Sequence, residues 1–471
     1  MIADSGLWHL LAAILALSVI AVGLAQNAVY MLQLIIAGWS LSAEPPVRRT
    51  ALLWRRYSEF SPPIALISPA FNEEMSIEAS VRSLLALQYP LFEVIVVNDG
   101  SSDATLARLI DAFGLKPVTR AHDQTLQHQP IRGIYASPDF PKLIVIDKEN
   151  GGKADALNAG INLARAPIIC SMDADSILES DALLRAVRPF VEDPERVIAV
   201  GGTVRLANGC RVEGGRVTRI GLPRNLLALF QTVEYLRAFL MARLAWSEMG
   251  ALTIISGAFG LFRRSVVIEA GGYSTRTVGE DMELVVRMHR LMRKKKRAYR
   301  IAYVPEPVCW TEAPENLRIL GRQRARWQRG SLETFFHHAG MTFNPRYGRV
   351  GWLGFPHIFL VDVLGPLIEL LGYVLLPVLW ALGLLSIEYL LAFLAVSFMF
   401  GVTISVLSLV LSEIQLQRFP RASHLTLLAL IAVLENFGYR QLGNFWRIRG
   451  WFQFATGQKS WGQMTRKGFS S

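Results

Sequence analysis

Acidic residues follow two short apolar segments of the sequence, at the point where each segment ends. Asp99 follows Glu93–Val97, and Asp173 and Asp175 follow Ile168–Met172. In open α/β sheets ligands bind at the carboxyl ends of strands, where alternate carboxylates can hold Mg²⁺ or Mn²⁺ against a diphosphate. Ordinary turns or helix caps remain an alternative interpretation, because Asn, Asp, Gly and Ser are common there.

A glycine-containing loop with one lysine lies between these segments. Asn150–Lys153 reads Asn-Gly-Gly-Lys, so it offers flexible backbone that can approach phosphates and one point charge. Its spacing does not match the phosphate loop of nucleotide hydrolases. A solvated loop is therefore the other interpretation.

A further acidic pair, Glu280 and Asp281, precedes apolar residues at helical spacing, Leu284, Val285 and Met288. One of these carboxylates can act as a general base that deprotonates a hydroxyl group. The alternative is an acidic first helical turn that interacts with the helix dipole.

The run Gln323–Trp327 predicts a helix face with mixed chemistry. Gln323, Arg326 and Trp327 share one face by their i, i+3 and i+4 spacing. Hydrogen-bond donors, a fixed cation and a flat aromatic surface suit a diphosphate leaving group beside a sugar ring. An amphipathic helix at the membrane surface, with its arginines at the headgroups, would give the same pattern, and the two interpretations are compatible.

Short Ile- and Val-rich runs alternate with helix-period segments from about Pro62 to Thr203, which is typical of a parallel α/β sheet of the nucleotide-binding type. The predicted strands are Ile64–Ser68, Glu93–Asn98, Leu143–Ile146, Ile168–Met172 and Val197–Gly201. The predicted helices are Met75–Leu87, Asp103–Phe113, Ala154–Ala164 and Glu179–Val191, followed by an arginine-rich helix over Asn316–His338.

The composition predicts a membrane portion, since 52% of the 471 residues are hydrophobic. Leu10–Ala37 has no acidic or basic side chain and is long enough to span a bilayer. A cleavable signal peptide fits less well, because the run is longer than an h-region and no basic residues precede it. Gly365–Ser386 and Tyr389–Ser412, separated at Ile387–Glu388, predict a hairpin of two further spans.

The net charge of +11 comes without any nucleic-acid-binding signature, so we expect no nucleic-acid partner. Four arginines between Arg48 and Arg56 follow the first span, which predicts an outside N-terminus and a cytosolic middle region. Three cysteines in that region imply no disulfide framework.

His424–Trp446 is interrupted by Glu435, Asn436 and Arg440 and precedes a basic tail. We predict an embedded or interfacial segment that returns to the cytosol, with a third C-terminal span as the alternative. The predicted division is 1–46 membrane helix, 47–315 cytosolic α/β domain, 316–350 interfacial helices, 351–446 membrane region and 447–471 basic cytosolic tail.

In this order, the motifs resemble those of the processive members of glycosyltransferase family 2, which include cellulose, chitin, hyaluronan and poly-N-acetylglucosamine synthases. The resemblance covers about Pro69–Gly330 and rests on Pro69–Glu73, Val97–Ser101, Lys153–Asn158, Asp173–Asp175, Gly279–Asp281 and Gln323–Trp327. It implies a GT-A, Rossmann-like domain inserted between transmembrane helices. The final motif distinguishes processive synthases from single-transfer relatives.

The resemblance also implies roles for individual residues. Phe71, Glu73 and Asp99 would hold the uracil and ribose, with Lys153 beside the nucleotide. The nucleotide and metal would lie on Asp173 and Asp175, and the base would be Asp281 of the Glu280-Asp281 pair. Gln323 and Arg326 would contact the diphosphate, Trp327 would lie under the acceptor sugar, and Gly257 belongs to the acceptor-side loop Ser256–Gly260.

Gly279 stands where the family often has threonine, and Ser460–Arg466 loosely resembles a segment that gates the site in some relatives.

The overall arrangement looks most like the poly-β-1,6-N-acetylglucosamine synthases, which implies a UDP-N-acetylglucosamine donor, a polysaccharide acceptor, membrane lipid around the spans and, as a family-level hypothesis, a small membrane partner subunit. A cellulose-like or chitin-like product from UDP-glucose or UDP-N-acetylglucosamine, and single transfer to a lipid carrier, remain alternatives. The expected location is the inner membrane.

Overall fold

The computed structural model describes residues 2–43, 50–416 and 421–458. The strands are β1 (Ile64–Ala70), β2 (Phe92–Asp99), β3 (Lys116–Pro117), β4 (Ile131–Ala136), β5 (Leu143–Lys148), β6 (Ile168–Met172), β7 (Ile177–Leu178), β8 (Val197–Leu206), β9 (Arg211–Glu213), β10 (Arg216–Arg219), β11 (Phe259–Arg263) and β12 (Arg300–Thr311).

The α-helices of the α/β region and its amino-terminal extension are α1 (Ile2–Ala43), α2 (Thr50–Tyr57), α3 (Ile77–Leu85), α4 (Thr105–Phe113), α5 (Lys153–Leu163), α6 (Ala182–Ala186), α7 (Arg188–Glu192), α8 (Leu226–Tyr235), α9 (Arg243–Glu248), α10 (Arg264–Glu269) and α11 (Glu280–Lys294). The later helices are α12 (Leu317–His337), α13 (Phe355–His357), α14 (Gly365–Ala381), α15 (Ile387–Leu416), α16 (Ala422–Leu434) and α17 (Tyr439–Ala455). Wider π-helical turns occupy Leu236–Ala242, Val350–Gly354 and Ile358–Leu364, and 3₁₀ turns occupy Ser58–Phe60, Ala339–Met341 and Pro345–Tyr347.

The central sheet has ten strands in the order β3-β4-β5-β2-β1-β6-β11-β8-β12-β7. Strands β5, β2, β1 and β6 are parallel, and their Ile- and Val-rich runs are buried because helices cover both faces. All five predicted strands form. The prediction of a parallel sheet is only partly right, because β11 inserts antiparallel between β6 and β8, and β4 is antiparallel to β5.

The predicted helices form with shifted ends, and one of them is divided. The segment predicted as Glu179–Val191 contains two short helices, α6 and α7. Pro189 lies in the first turn of α7, where its missing N–H is tolerated, but it could not sit in the interior of one continuous helix.

Three described helical segments are long and apolar enough to cross a membrane: Ala16–Ala43, Val350–Ala381 and Leu390–Ile414. A fourth candidate is the pair α16 and α17, bent by 59° at a break that contains Gly438 with a positive φ of 89°. The hairpin break lies over residues 382–386, so Ile387 and Glu388 begin α15 instead of separating the spans. Helix α17 continues to Ala455, past the predicted start of the basic tail at 447.

The sheet is covered by one apolar layer on each face. The layer that includes α5 also contains Leu34, Ala37 and Leu41 of α1, together with Met241 and Leu244. The amino-terminal helix therefore packs directly on the α/β domain. The structure contains three free thiols, Cys170, Cys210 and Cys309.

Candidate active site

Asp99 lies at the end of β2 in a closed network of charges and N–H groups. Its carboxylate accepts hydrogen bonds from Lys148 Nζ (2.5 Å), the Gly151 N–H (3.0 Å) and the Gly152 N–H (2.7 Å). Lys148 is fully buried and also pairs with Asp155 at 2.6 Å. Asp99 is 3% exposed. In this structure its carboxylate holds the backbone of the glycine loop at Gly151 and Gly152. A contact between Asp99 and uracil or ribose stays a prediction.

Lys153 begins α5 and reaches the carboxylates of two other elements. Its ammonium pairs with Asp173, which follows β6, and lies 3.5 Å from Glu280 Oε1. Burial lowers the pKa of Lys153, but the adjacent Asp173 and Glu280 carboxylates outweigh it and hold the pKa above its ordinary value. The lysine therefore stays charged. It links Asp173, which is predicted to bind the nucleotide, to Glu280, the neighbour of the predicted base.

Glu280 and Asp281 start α11 and have different surroundings. Glu280 is 5% exposed, and its burial raises its carboxyl pKa although Lys153 opposes this. Asp281 is less buried, and its Oδ2 accepts a hydrogen bond from the Gly257 N–H (2.9 Å). Of the two, Asp281 is better placed to meet a substrate hydroxyl.

Helix α12 carries Gln323, Arg326 and Trp327, and it approaches α11 through two glycines. A Cβ at Gly279 would lie 2.9 Å from Gly330 Cα, so this close contact requires glycine at both positions. It explains the glycine that replaces the usual threonine before Glu280. Trp327 is 40% exposed, and Gln323 Oε1 is buried without a hydrogen-bond partner within the described residues.

A second network, which no sequence motif indicates, supports Trp327. The Arg324 guanidinium lies 4.3 Å from the centre of the Trp327 ring and donates to Glu234 Oε2 (2.9 Å), which also accepts from Tyr439 Oη (2.8 Å). Glu234 belongs to α8 and Tyr439 to α17. Such a contact between distant segments has no local pattern.

Asp173 and Asp175 fit a hard divalent cation by their chemistry. Both are partly exposed oxygen ligands on alternate residues after β6, and carboxylates together with substrate phosphates are the usual ligands of Mg²⁺. One oxygen of Asp173 is already paired with Lys153. Metal binding by these residues stays a prediction.

A cavity of about 930 Å³ brings together one part of the predicted site. It is lined by Lys153, Asp173, Gly257, Glu280, Asp281, Gln323, Arg326 and Trp327. Phe71, Glu73, Asp99 and Asp175 do not line it. Phe71 is 51% exposed, Glu73 accepts from Ser76 Oγ (2.6 Å) at the start of α3, and the predicted gate Ser460–Arg466 lies outside the described residues.

This fold and site are those of a nucleotide-sugar glycosyltransferase domain that is attached to helices long and apolar enough to cross a membrane. Residues 62–330 match the family model described as "Glycosyltransferase like family 2". The chain belongs to that family, as the sequence motifs predict.

Two curated relatives are poly-β-1,6-N-acetyl-D-glucosamine synthases. The protein of Staphylococcus aureus strain COL is 32% identical over 271 residues, which are 57% of this chain and 55% of that protein. The protein of Staphylococcus epidermidis strain RP62A is 29% identical over 291 residues, which are 62% of this chain and 59% of that protein. The matched part thus spans little more than half the length of these relatives.

A solved structure, the mannosyltransferase PcManGT from Pyrobaculum calidifontis in complex with GDP-Man and Mn²⁺, resembles the whole architecture. It superposes with a TM-score of 0.52 over 94% of this chain and 100% of that chain, at 18% identity. The predicted GT-A fold flanked by apolar helices is thereby confirmed.

Proposed function

We propose that this protein is an inverting, processive glycosyltransferase that adds N-acetylglucosamine from UDP-N-acetylglucosamine to a β-1,6-linked polysaccharide and passes the product into the membrane. The family membership and the two synthase relatives support the reaction and the sugar. One observation carries the proposal: the cavity that contains Asp281 and Trp327 also contains Tyr30 of the first candidate span and Glu369 of the second.

In the proposed reaction, the acceptor hydroxyl oxygen attacks the anomeric carbon of the donor. A new C–O bond forms there, the bond to the diphosphate oxygen breaks with its electron pair leaving on UDP, and the hydroxyl proton passes to Asp281. The Gly257 N–H holds the Asp281 carboxylate in place while Trp327 lies under the acceptor ring. Positioning and base catalysis together supply the rate enhancement.

The negative charge that develops on the leaving diphosphate is matched by cationic side chains. Lys153 and Arg326 both line the cavity, and fixed cations there stabilise the leaving group. A divalent cation bound by Asp173 and Asp175 would supply further charge neutralisation at the diphosphate.

Export is proposed because the cavity passes from the catalytic groups to candidate membrane-spanning helices. It is lined by residues of α1, α14, α15 and α17 as well as by the base and Trp327. Polar groups at membrane depth face protein interiors or water-filled cavities. A growing chain that leaves Trp327 could therefore advance without entering lipid.

The proposed topology keeps the amino terminus outside and residues 47–315 in the cytosol. The bend of 59° between α16 and α17 supports a segment that enters the membrane and returns. Residues 316–350 would lie at the membrane surface, with 351–446 embedded. Cysteine labelling from each side of sealed vesicles, with a single thiol introduced near residue 458, tests this: labelling only from the outside would contradict the proposal.

The function is tested by incubating the purified protein in detergent with UDP-N-acetylglucosamine and Mg²⁺ and then sizing the product. A long polymer that is absent with Asp281→Asn supports the proposal. Single-sugar lipid indicates a lipid-carrier transferase, and polymer formed only from UDP-glucose indicates a cellulose-like enzyme. Absence of any turnover in the wild-type protein overturns the proposed activity.

A further inference from the structure

The first candidate span carries polar side chains on the face that borders the cavity. Gln26, Tyr30 and Gln33 share this face by their i, i+4 and i+7 spacing, and Asn27 is adjacent. Gln26 Nε2 donates to Tyr30 Oη (3.1 Å), and Asn27 Nδ2 donates to the Gly23 carbonyl (3.0 Å). A polar stripe in an otherwise apolar span requires an explanation.

Gln33 differs from the other members of this stripe. It is 1% exposed, and within the described residues neither its Oε1 nor its Nε2 has a hydrogen-bond partner. An amide can make four hydrogen bonds, and leaving a buried amide without partners is costly. Because Gln33 lines the cavity, the missing partner fits a group that enters the cavity.

A second helix that lines the cavity, α17, shows the same deficit independently. Asn444 of α17 is 3% exposed and lines the cavity. Its Nδ2 donates to the Pro366 carbonyl (3.2 Å), which fixes the amide, but its Oδ1 is buried without a partner within the described part of the chain. Two buried amides from different helices thus present unused hydrogen-bonding groups to one space.

The ligand that fits this space is a saccharide. Each hydroxyl of a pyranose ring both donates and accepts, and an acetamido group offers one N–H and one carbonyl, so both sugar groups match an amide pair. The cavity also reaches Trp327, whose exposed ring suits the apolar face of a sugar.

We propose that Gln33 and Asn444 form a saccharide-binding subsite, with α1 as one wall, that holds the growing polysaccharide after it leaves Trp327. This rests on the proposed function for the identity of the chain. The amino-terminal helix is then part of the substrate site in addition to anchoring the protein. Contact with the sugar satisfies the Gln33 amide, which has no hydrogen-bond partner within the described residues.

The test is equilibrium binding of a fluorescent, short β-1,6-linked N-acetylglucosamine oligosaccharide to the full-length protein in detergent, without donor. Gln33→Leu removes the amide at similar volume and should weaken binding about tenfold. Asn444→Leu should weaken it similarly. Ser18→Ala is the matched control, because Ser18 lies on an exposed face of the same helix and its hydroxyl donates to the Ile14 carbonyl of that helix.

Thermal unfolding separates binding from folding. Replacing an unpartnered buried amide by leucine should leave the unfolding temperature of Gln33→Leu equal to or above that of the wild-type protein. Unchanged oligosaccharide affinity in Gln33→Leu overturns the subsite, and so does weaker binding accompanied by a lower unfolding temperature. The outcome is independent of turnover: a protein that binds the oligosaccharide through Gln33 but makes no polymer would overturn only the proposed function.

Discussion

The backbone N–H of Gly257 donates a hydrogen bond to Oδ2 of Asp281 over 2.9 Å, and no other residue type fits at position 257 without movement. A Cβ there would lie 2.6 Å from Lys153 Nζ and 3.6 Å from Asp281 Oδ2. The loop before β11 therefore joins the proposed base to the lysine that pairs with Asp173 and Glu280.

Gly257→Ala should fold normally and lower the transfer rate by roughly 10²-fold, because its methyl group displaces the Lys153 ammonium from its place between Asp173 and Glu280, beside the proposed base. UDP release from UDP-N-acetylglucosamine measures this. Gly340→Ala is the control, since a Cβ at Gly340 meets nothing within 4 Å. Wild-type turnover in Gly257→Ala would show that this contact has no catalytic importance.

Lys148→Met should destabilise the protein by about 3–5 kcal/mol, because Asp99 and Asp155 would then be buried without their shared cation. The glycine loop, held by Asp99 through Gly151 and Gly152, should loosen as well. Thermal unfolding in detergent reports the first effect and UDP affinity the second. Lys116→Met, on an exposed edge strand, should change neither, and a wild-type unfolding temperature for Lys148→Met would contradict the ion-pair argument.

Local sequence patterns predicted the strands of the sheet and the acidic residues at their ends. Hydrophobic runs such as Ile64–Ser68 and Leu143–Ile146 are short and contain β-branched isoleucine or valine, which favours buried strands over helices. Lys148 was missed, because the polar pair Asp147-Lys148 after an apolar run ordinarily indicates a surface turn, whereas here Asp99 and Asp155 compensate the charge of Lys148.

Long-range contacts account for the remaining misses. Nothing near Glu234 indicates that it meets Arg324, which is ninety positions away in the chain. Similarly, Gln33 was counted as part of an uncharged span, because hydropathy averages over all faces of a helix. The insertion of β11 between β6 and β8 also depends on packing that no local pattern encodes.

Glu234→Ala should reduce transfer to the growing chain more than it reduces UDP binding. Without Glu234, the buried Arg324 guanidinium loses its carboxylate partner, and the position of the Trp327 ring is no longer fixed. We expect about a tenfold loss in turnover and shorter polymer, consistent with leaving a buried charge unpaired. Glu213→Ala, which removes an exposed glutamate from β9, is the control. Full-length product from Glu234→Ala would refute this role.

Removal of divalent cations should abolish transfer and leave the fold intact. Chelation followed by titration with Mg²⁺ or Mn²⁺ should restore UDP release, since the diphosphate needs charge neutralisation. Asp175→Asn should shift this titration to higher metal concentration, and Asp139→Asn, on a loop away from β6, should not. Turnover that persists in excess chelator would contradict a metal requirement.

Acidification should destabilise the protein through His289, which is 1% exposed on α11. The imidazole donates from Nε2 to the Leu252 carbonyl and accepts at Nδ1 from Tyr299 Oη, both over 2.8 Å, as a neutral ring. Burial lowers the pKa of His289 from 6.5 to about 4. Between these values the unfolded chain binds a proton that the folded chain does not, so stability falls as the pH falls through this window.

The loss attributable to His289 should reach about 3 kcal/mol near pH 4, while stability above pH 6.5 should be independent of this residue's titration. His289→Gln cannot titrate and retains a donor for Leu252, so its unfolding temperature should depend less steeply on pH between 4 and 6.5. Differential scanning fluorimetry of both proteins across this range provides the comparison. Parallel pH dependences for the two proteins would mean that His289 binds protons equally in the folded and unfolded states.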